Sequence, residues 1–211
     1  MVSAVAIETA LAREGLVTCA VEKSAARELL RQLGDIVEET RVRQRSEANT
    51  YLAGRDAVPL HTDHPEADLV AWRCEVQALQ DGASVLADGY SIIRAMGASA
   101  DSLRSVELYV PPQLPRQTPD RGTVWDGKRL YYAPWYPVVR ASNDGRRALK
   151  LFTNLLAMGF GHRRVRLQVG ELLVVDNGRW LHGRDKLPEK SNRFLQRYWL
   201  RRQSRLSRNS A

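Results

Sequence analysis

The chain has 211 residues, 44% hydrophobic and 27% charged, with two cysteines; it can bury a core without a disulfide or zinc scaffold, so one domain over residues 1–211 in a reducing cytoplasm is expected. No apolar run approaches the roughly 20 residues that span a bilayer, and the acids in "MVSAVAIETALAREG" exclude a secretory signal. The net charge of +8 sits mostly at the C-terminal end, where six arginines and no acid occur from Arg193 onward; that leaves +2 on the rest and argues against a nucleic-acid-binding domain.

In "TCAVEKSAARELLRQLGD", Ala26, Leu29, Leu30 and Leu33 share one face at helical spacing and Gly34 supplies the stop, so a helix is expected across this segment. "DIVEETRVR" alternates as a strand, and "ANTYLAGRDAVP" is expected to be loop. "DLVAWRCEVQAL" reads as a strand with Val70, Trp72, Cys74 and Val76 on one side. "DGASVLADG" is a short strand between glycines, followed by helical "YSIIRAMG" and "SADSLRSVE". "PPQLPRQTPDRG" is proline-rich loop, and "TVWDGKRLYYAPW" reads as a hairpin turning at Asp126-Gly127. A helix, "DGRRALKLFTNLLAMG", precedes the strands "HRRVRLQV" and "ELLVVD", a turn at Asn177-Gly178, and the strands "RWLHGR" and "RFLQRYWLRR". In the last, Arg193, Leu195, Arg197 and Trp199 point one way, and Phe194, Gln196, Tyr198 and Leu200 the other. A basic tail over about 203–211 is expected to be a solvated end. Many short strands with a few helices predict an antiparallel barrel or sandwich covered by helices.

The chemistry concentrates in "PLHTDHPEADLVAW". His61 and Asp63 are two apart, and on an extended segment such residues point to the same side, so an imidazole and a carboxylate reach one point. A third ligand must come from elsewhere. His162, in "GFGHRR", lies among arginines and reads as exposed, whereas His182, in "VVDNGRWLHGR", lies on a strand and is the expected ligand. His64, three past His61, points away and reads as either behind the ligands or solvent-facing. Two histidines and one carboxylate with the opposite face open suit non-haem Fe(II), although zinc hydrolases use similar ligands. A binder for a co-substrate carboxylate decides between them. Arg193, eleven positions beyond His182 on the next strand of a presumed hairpin, offers the planar fork for it. Trp72, Trp180 and Trp199 read as core. Tyr131, Tyr132, Trp135 and Tyr136 either cover the mouth of the site or pack their own loop, and Asn49 and Tyr51 are candidates for substrate contact.

The segments "HTDHPEADLVAW", "DGASVLADG" and "GELLVVDNGRWLHGRDKLPEKSNRFLQRYWL" together resemble the taurine dioxygenase-like Fe(II)/2-oxoglutarate oxygenases, nearest the gamma-butyrobetaine hydroxylase and clavaminate synthase-like branch, over about residues 47–202. The resemblance implies a mostly β protein with flanking helices, a double-stranded β-helix of the jelly-roll, cupin-like kind. It implies His61, Asp63 and His182 as ligands of Fe(II), Arg193 and Ser84 as binders of 2-oxoglutarate as co-substrate, and Arg197 as a second arginine beside the substrate or the co-substrate's other end. The implied activity is a dioxygenase that hydroxylates an unactivated C–H bond of a small polar metabolite, an amino acid or related carboxylate, consuming O2 and releasing succinate and CO2. Because Asp63 is present, halogenation is not expected. Desaturation, epimerisation or cyclisation by the same chemistry is the alternative, and a non-catalytic metal-binding jelly-roll is a rival of another class; a nucleic-acid demethylase is disfavoured by the tail-confined charge. Three departures bear on substrate identity. Gly178 stands where relatives carry arginine, the 98–145 segment is short and proline-rich, and the N-terminal module of the butyrobetaine branch has no counterpart. Substrate and oligomeric state are not legible.

Overall fold

The computed structural model describes residues 2–44, 54–78, 82–111, 121–189 and 191–202. Helix α1 (Ala4–Glu14) opens the chain, with Ser3 as its N-cap and Gly15, at φ 71°, as its left-handed stop. Strand β1 (Leu16–Ala20) follows directly, then α2 (Lys23–Leu33) and β2 (Asp35–Arg43). The helix expected across "TCAVEKSAARELLRQLGD" is therefore only its second part. Thr18, Cys19 and Ala20 belong instead to the edge strand β1, which pairs with β10, and the β-branched Val17 and Thr18 favour that choice over a helical turn.

Next come β3 (Val58–His61), β4 (Leu69–Val76), β5 (Ser84–Asp88), α3 (Gly89–Met96), a 3-10 segment (Gly97–Ser105) and β6 (Glu107–Tyr109). Strands β7 (Arg121–Thr123) and β8 (Val138–Arg140) flank the expected hairpin, and α4 (Asn143–Ala157) leads into β9 (His162–Val165), β10 (Glu171–Asp176), β11 (Trp180–Arg184) and β12 (Phe194–Arg201). The Asp126–Gly127 turn is present, with Gly127 at φ 102° and an isolated bridge between Trp125 and Leu130. Arg121 and Gly122, expected as loop, belong to β7 because they pair with Tyr109 and Leu108.

The strands form two antiparallel sheets, in the order β1-β10-β4-β12-β2 and β3-β11-β5-β9, and a small third sheet β7-β6-β8. Val70, Trp72, Leu173, Leu195 and Trp199 of the first sheet meet Leu86 and Trp180 of the second in one cluster between the sheets. The alternate residues Leu69, Ala71, Leu172, Val174 and Leu200 turn outward under Ile7 and Leu11 of α1 and Leu29, Leu30 and Leu33 of α2. On the outer side of the second sheet, Ala87 and Leu181 pack with Ile92, Met96, Phe152 and Leu156 of α3 and α4. β4 is consequently buried on both faces over Leu69–Cys74, as a central strand covered by helices on one side must be. The mostly β, helix-flanked jelly-roll is the observed architecture, as a sandwich of two sheets.

One expectation about connectivity fails. β11 and β12 are not a hairpin, because β11 lies in the second sheet and β12 pairs with β2 and β4 in the first. The chain between them crosses from one sheet to the other, so Arg193 approaches His182 from across the sandwich. Among the described residues no helix is long and apolar enough to cross a membrane, and Cys19 and Cys74 are free thiols.

Candidate metal centre

His61 and His182 are direct cross-strand partners on β3 and β11, and their rings lie 4.5 Å apart. Gly183 makes this pairing possible: a Cβ there would come within 2.4 Å of the Val58 carbonyl oxygen, closer than packed atoms approach. Beyond His61 the chain leaves the strand, and two anchors return it. The Thr62 amide donates to Tyr132 O at 2.7 Å, and the Asp63 amide donates to Asn177 Oδ1 at 2.8 Å. Asn177 Nδ2 donates in turn to the carbonyls of Asp63, His64 and Ala67 at 3.3, 3.1 and 2.9 Å. Held this way, Asp63 Oδ1 lies 3.7 Å from His61 Nε2 and Oδ2 lies 3.5 Å from His182 Nε2. Ligand atoms of all three residues fall within 4.8 Å of one another, and all three side chains are buried.

The donor set suits a divalent cation. His61 Nδ1 sits 2.8 Å from Pro59 O; a carbonyl only accepts, so Nδ1 carries the proton and Nε2 presents its lone pair to the cluster. Both ring nitrogens of His182 are buried without a hydrogen-bond partner. Burial first, and then the nearby His61, push the His182 pKa down to about 4, which leaves a neutral imidazole with a lone pair free for a metal. Burial alone would raise the Asp63 pKa. The Arg197 guanidinium, followed by His182, outweighs it and holds the carboxyl well below the usual range, so the group is an anion.

Around this cluster the structure adds contacts that the sequence did not show. Trp199 Nε1 donates to Asp63 Oδ2 at 2.7 Å. Arg197 Nη1 donates to both Asp63 oxygens at 3.1 and 3.3 Å, Nη2 donates to Glu38 at 3.1 Å, and the guanidinium lies 4.9 Å over the Trp199 ring. Trp72 meets His182 edge-on at 4.7 Å, and Trp135 tilts against His61 at 4.6 Å. Trp72, Trp180 and Trp199 are buried as expected, yet Trp72 and Trp199 also touch the candidate ligands. His64 does not join the cluster. It is buried rather than solvent-facing, stacks on Trp199 at 6.0 Å and accepts from the Glu66 amide at 3.2 Å. His162 is exposed on β9, Tyr131 and Tyr132 are core, and Asn49 and Tyr51 lie outside the described residues.

The imidazoles of His61 and His182 open onto a cleft whose walls include Trp72, Ser84, Arg184, Arg193 and Arg197. Ser84 and Arg193 meet there, Nη2 donating to Ser84 Oγ at 3.1 Å. Arg193 is buried, its Nε has no partner, and burial followed by repulsion from Arg184 lowers its pKa to about 10. It therefore remains a cation at neutral pH. At Gly178 the space a side chain would fill is taken by Arg129, which pairs with Asp68 and donates to Ala67 O at 3.2 Å.

No known family profile matches the sequence, and no curated protein sequence matches it. The fold has clear counterparts among solved structures. An asparagine oxygenase in complex with Fe(II), 2S,3S-3-hydroxyasparagine and succinate superimposes with a TM-score of 0.73 at 16% identity, over 93% of this chain and 78% of that one. The non-heme iron oxygenase OrfP in complex with Fe and alpha-ketoglutaric acid superimposes with a TM-score of 0.71 at 19% identity, over 97% and 81%. PvcB from Pseudomonas aeruginosa gives 0.70 at 14%, over 94% and 80%. The chain thus has the jelly-roll fold of the non-heme iron, 2-oxoglutarate-type oxygenases.

Proposed function

We propose that the chain is an Fe(II)- and 2-oxoglutarate-dependent dioxygenase of the taurine dioxygenase-like kind, hydroxylating a C–H bond of a small polar metabolite with O2 and releasing succinate and CO2. The observation that carries this reading is the buried His61–Asp63–His182 cluster opening onto the same cleft as the Ser84–Arg193 pair. A keto-diacid co-substrate needs a guanidinium in that cleft for its far carboxylate, and Arg193 supplies one.

His61, Asp63 and His182 would hold the iron, leaving positions open for co-substrate and oxygen. When bound, the metal and 2-oxoglutarate supply the oxidising power. The chain's own residues orient and shield. Pro59 O fixes the His61 tautomer, Trp199 and Arg197 keep the Asp63 carboxylate ionised and aimed, and Trp72 and Trp135 bring apolar rings against the two imidazoles. Arg193, with Ser84, binds the co-substrate's distal carboxylate. An amino acid or related carboxylate is the favoured substrate class. The solved neighbours include complexes with hydroxyasparagine and with (3S)-hydroxy-L-Arg.

Anaerobic addition of 2-oxoglutarate to the Fe(II)-loaded protein should produce a visible charge-transfer band, and Asp63→Ala or His182→Ala should abolish it. A screen of amino acids and related metabolites for stimulated succinate formation then identifies the substrate. Product mass separates hydroxylation from desaturation or cyclisation. Metal binding with no such band, and no succinate with any compound, would mean a non-catalytic metal-binding jelly-roll.

A further inference from the structure

Trp135 and Tyr136, in "LYYAPWYP", begin a file of rings that runs from the candidate metal centre to solvent. The Trp135 ring lies 4.6 Å from that of His61. Tyr136 stands edge-on to Trp135 at 5.9 Å, and Tyr109 of β6 stands edge-on to Tyr136 at 6.1 Å. Each step lies within the roughly 4.5–7 Å that separates aromatic rings in contact. Trp135 and Tyr136 are half-buried, and Tyr109 is 37% exposed. Backbone hydrogen bonds hold the file in place. The Thr62 amide, next to His61, donates to Tyr132 O at 2.7 Å; the Tyr136 amide donates to Ala133 O at 3.1 Å, closing the turn that carries Trp135; and the Tyr109 amide donates to Pro137 O at 3.1 Å. Trp72 and Trp199, the other indoles against the ligands, are instead buried between the two sheets.

Packing asks only for apolar rings. Indole and phenol are also among the side chains most readily oxidised by one electron, and transfer between rings weakens steeply with separation. Rings in contact therefore pass an electron where a single leap from His61 to the surface would not. We propose that Trp135, Tyr136 and Tyr109 form an exit route for oxidising equivalents, used when 2-oxoglutarate and O2 react at the metal with no substrate in place. This inference rests on the functional reading above. The oxidised metal centre gains one electron from Trp135, which is refilled from Tyr136, and Tyr136 from Tyr109. Tyr109 thus loses one electron, and its phenolic proton passes to water, leaving a neutral phenoxyl radical. A small reductant in solution, such as ascorbate, returns a hydrogen atom and restores the phenol. The route draws the oxidant away from the imidazoles and from the buried indoles beside them.

The test exposes the Fe(II)-loaded protein, with 2-oxoglutarate and no substrate, to O2 and freezes samples at successive times for EPR. Ring-deuterated tyrosine identifies the carrier, and mass spectrometry of digests locates oxidised residues. The unsubstituted protein should give a tyrosyl signal that ascorbate removes. That signal should be lost in Tyr109→Phe and in Trp135→Phe, and in the latter oxidation should shift to His61, Trp72 or His182. A tyrosyl signal unchanged in either variant overturns the proposal, as does oxidation confined to the ligands and buried indoles in the unsubstituted protein. Should Trp135→Phe fail to fold, Tyr109→Phe, at an exposed position, decides alone. Succinate formed without any tyrosyl radical overturns this inference and leaves the oxygenase reading standing. Absence of both the anaerobic charge-transfer band and succinate removes that reading and the exit route with it.

Discussion

The indole nitrogen of Trp199 lies 2.7 Å from Asp63 Oδ2 and donates to it. Partners behind a metal ligand set its orientation and basicity, and their loss typically weakens metal affinity 10- to 100-fold. Trp199→Phe keeps the ring and removes the donor. Calorimetry with Co(II) should show affinity down about 10-fold, with thermal stability much less affected.

Asn177 ties the turn between β10 and β11 to the ligand loop through four hydrogen bonds. Replacement by Ala takes the Asn177 partner from the buried Asp63 amide and carbonyl, whereas His64 O keeps the Ala67 amide and Ala67 O keeps Arg129. Each unsatisfied buried group costs about 1–3 kcal/mol, part of which water recovers, so a loss of about 2–4 kcal/mol by urea unfolding is expected. Full native stability in Asn177→Ala would show that the loop is held by other contacts.

Arg193→Ala separates the two halves of the site. Co(II) affinity should stay close to that of the unsubstituted protein, whereas 2-oxoglutarate binding should weaken about 100-fold. Undiminished co-substrate affinity would take Arg193 out of its role.

Gly183→Ala tests the β3–β11 contact that presents the two histidines. The added methyl group meets the Val58 carbonyl at 2.4 Å, and forcing a backbone apart in a packed region costs about 1–3 kcal/mol. Both the melting temperature and metal affinity should fall, because the displaced strand ends in His61.

Away from the cleft, Asp88 caps α3 and receives two bonds from Arg179, at 3.0 and 3.1 Å. Burial raises its pKa, but the Arg179 bonds and those from Ser91 and Tyr90 outweigh this, and the folded value lies below the ordinary one. As pH falls through the ordinary carboxylate value of about 4, the unfolded chain therefore takes up the proton first. The stabilisation is present in full above that range and drains away below it. Asp88→Asn should be less stable at pH 7 and lose less of its remaining stability between about pH 5 and pH 2, as followed by circular dichroism.

Part of the site was legible in local pattern. His61 and Asp63 stand two apart and do meet, although through a chain that leaves β3 at His61, and the alternation of Leu195, Arg197 and Trp199 assigns the inner face of β12 correctly. What stayed hidden depends on contacts between sheets. Asn177 reads as an ordinary turn residue, since its role lies in atoms more than 100 positions away. Trp199 reads as core because an indole is apolar on its faces and polar at a single atom. Arg193 was placed near His182 by a hairpin that does not exist; no local pattern tells a tight return within a sheet from a crossing between two. Thr18–Ala20 fall within the expected helix because a five-residue strand carries too little periodicity to resist a strong adjacent one.

The carboxylate and one imidazole come from positions 61–63, the other imidazole from 182, and the groups that steady the carboxylate from 197 and 199. Strand β12, which carries the last two, docks between β2 and β4, some 120–160 positions earlier in the chain. Contacts of such long range close slowly and late. A growing polypeptide thus cannot bring the His61–Asp63–His182 cluster together with the groups that steady it until β12 has been made.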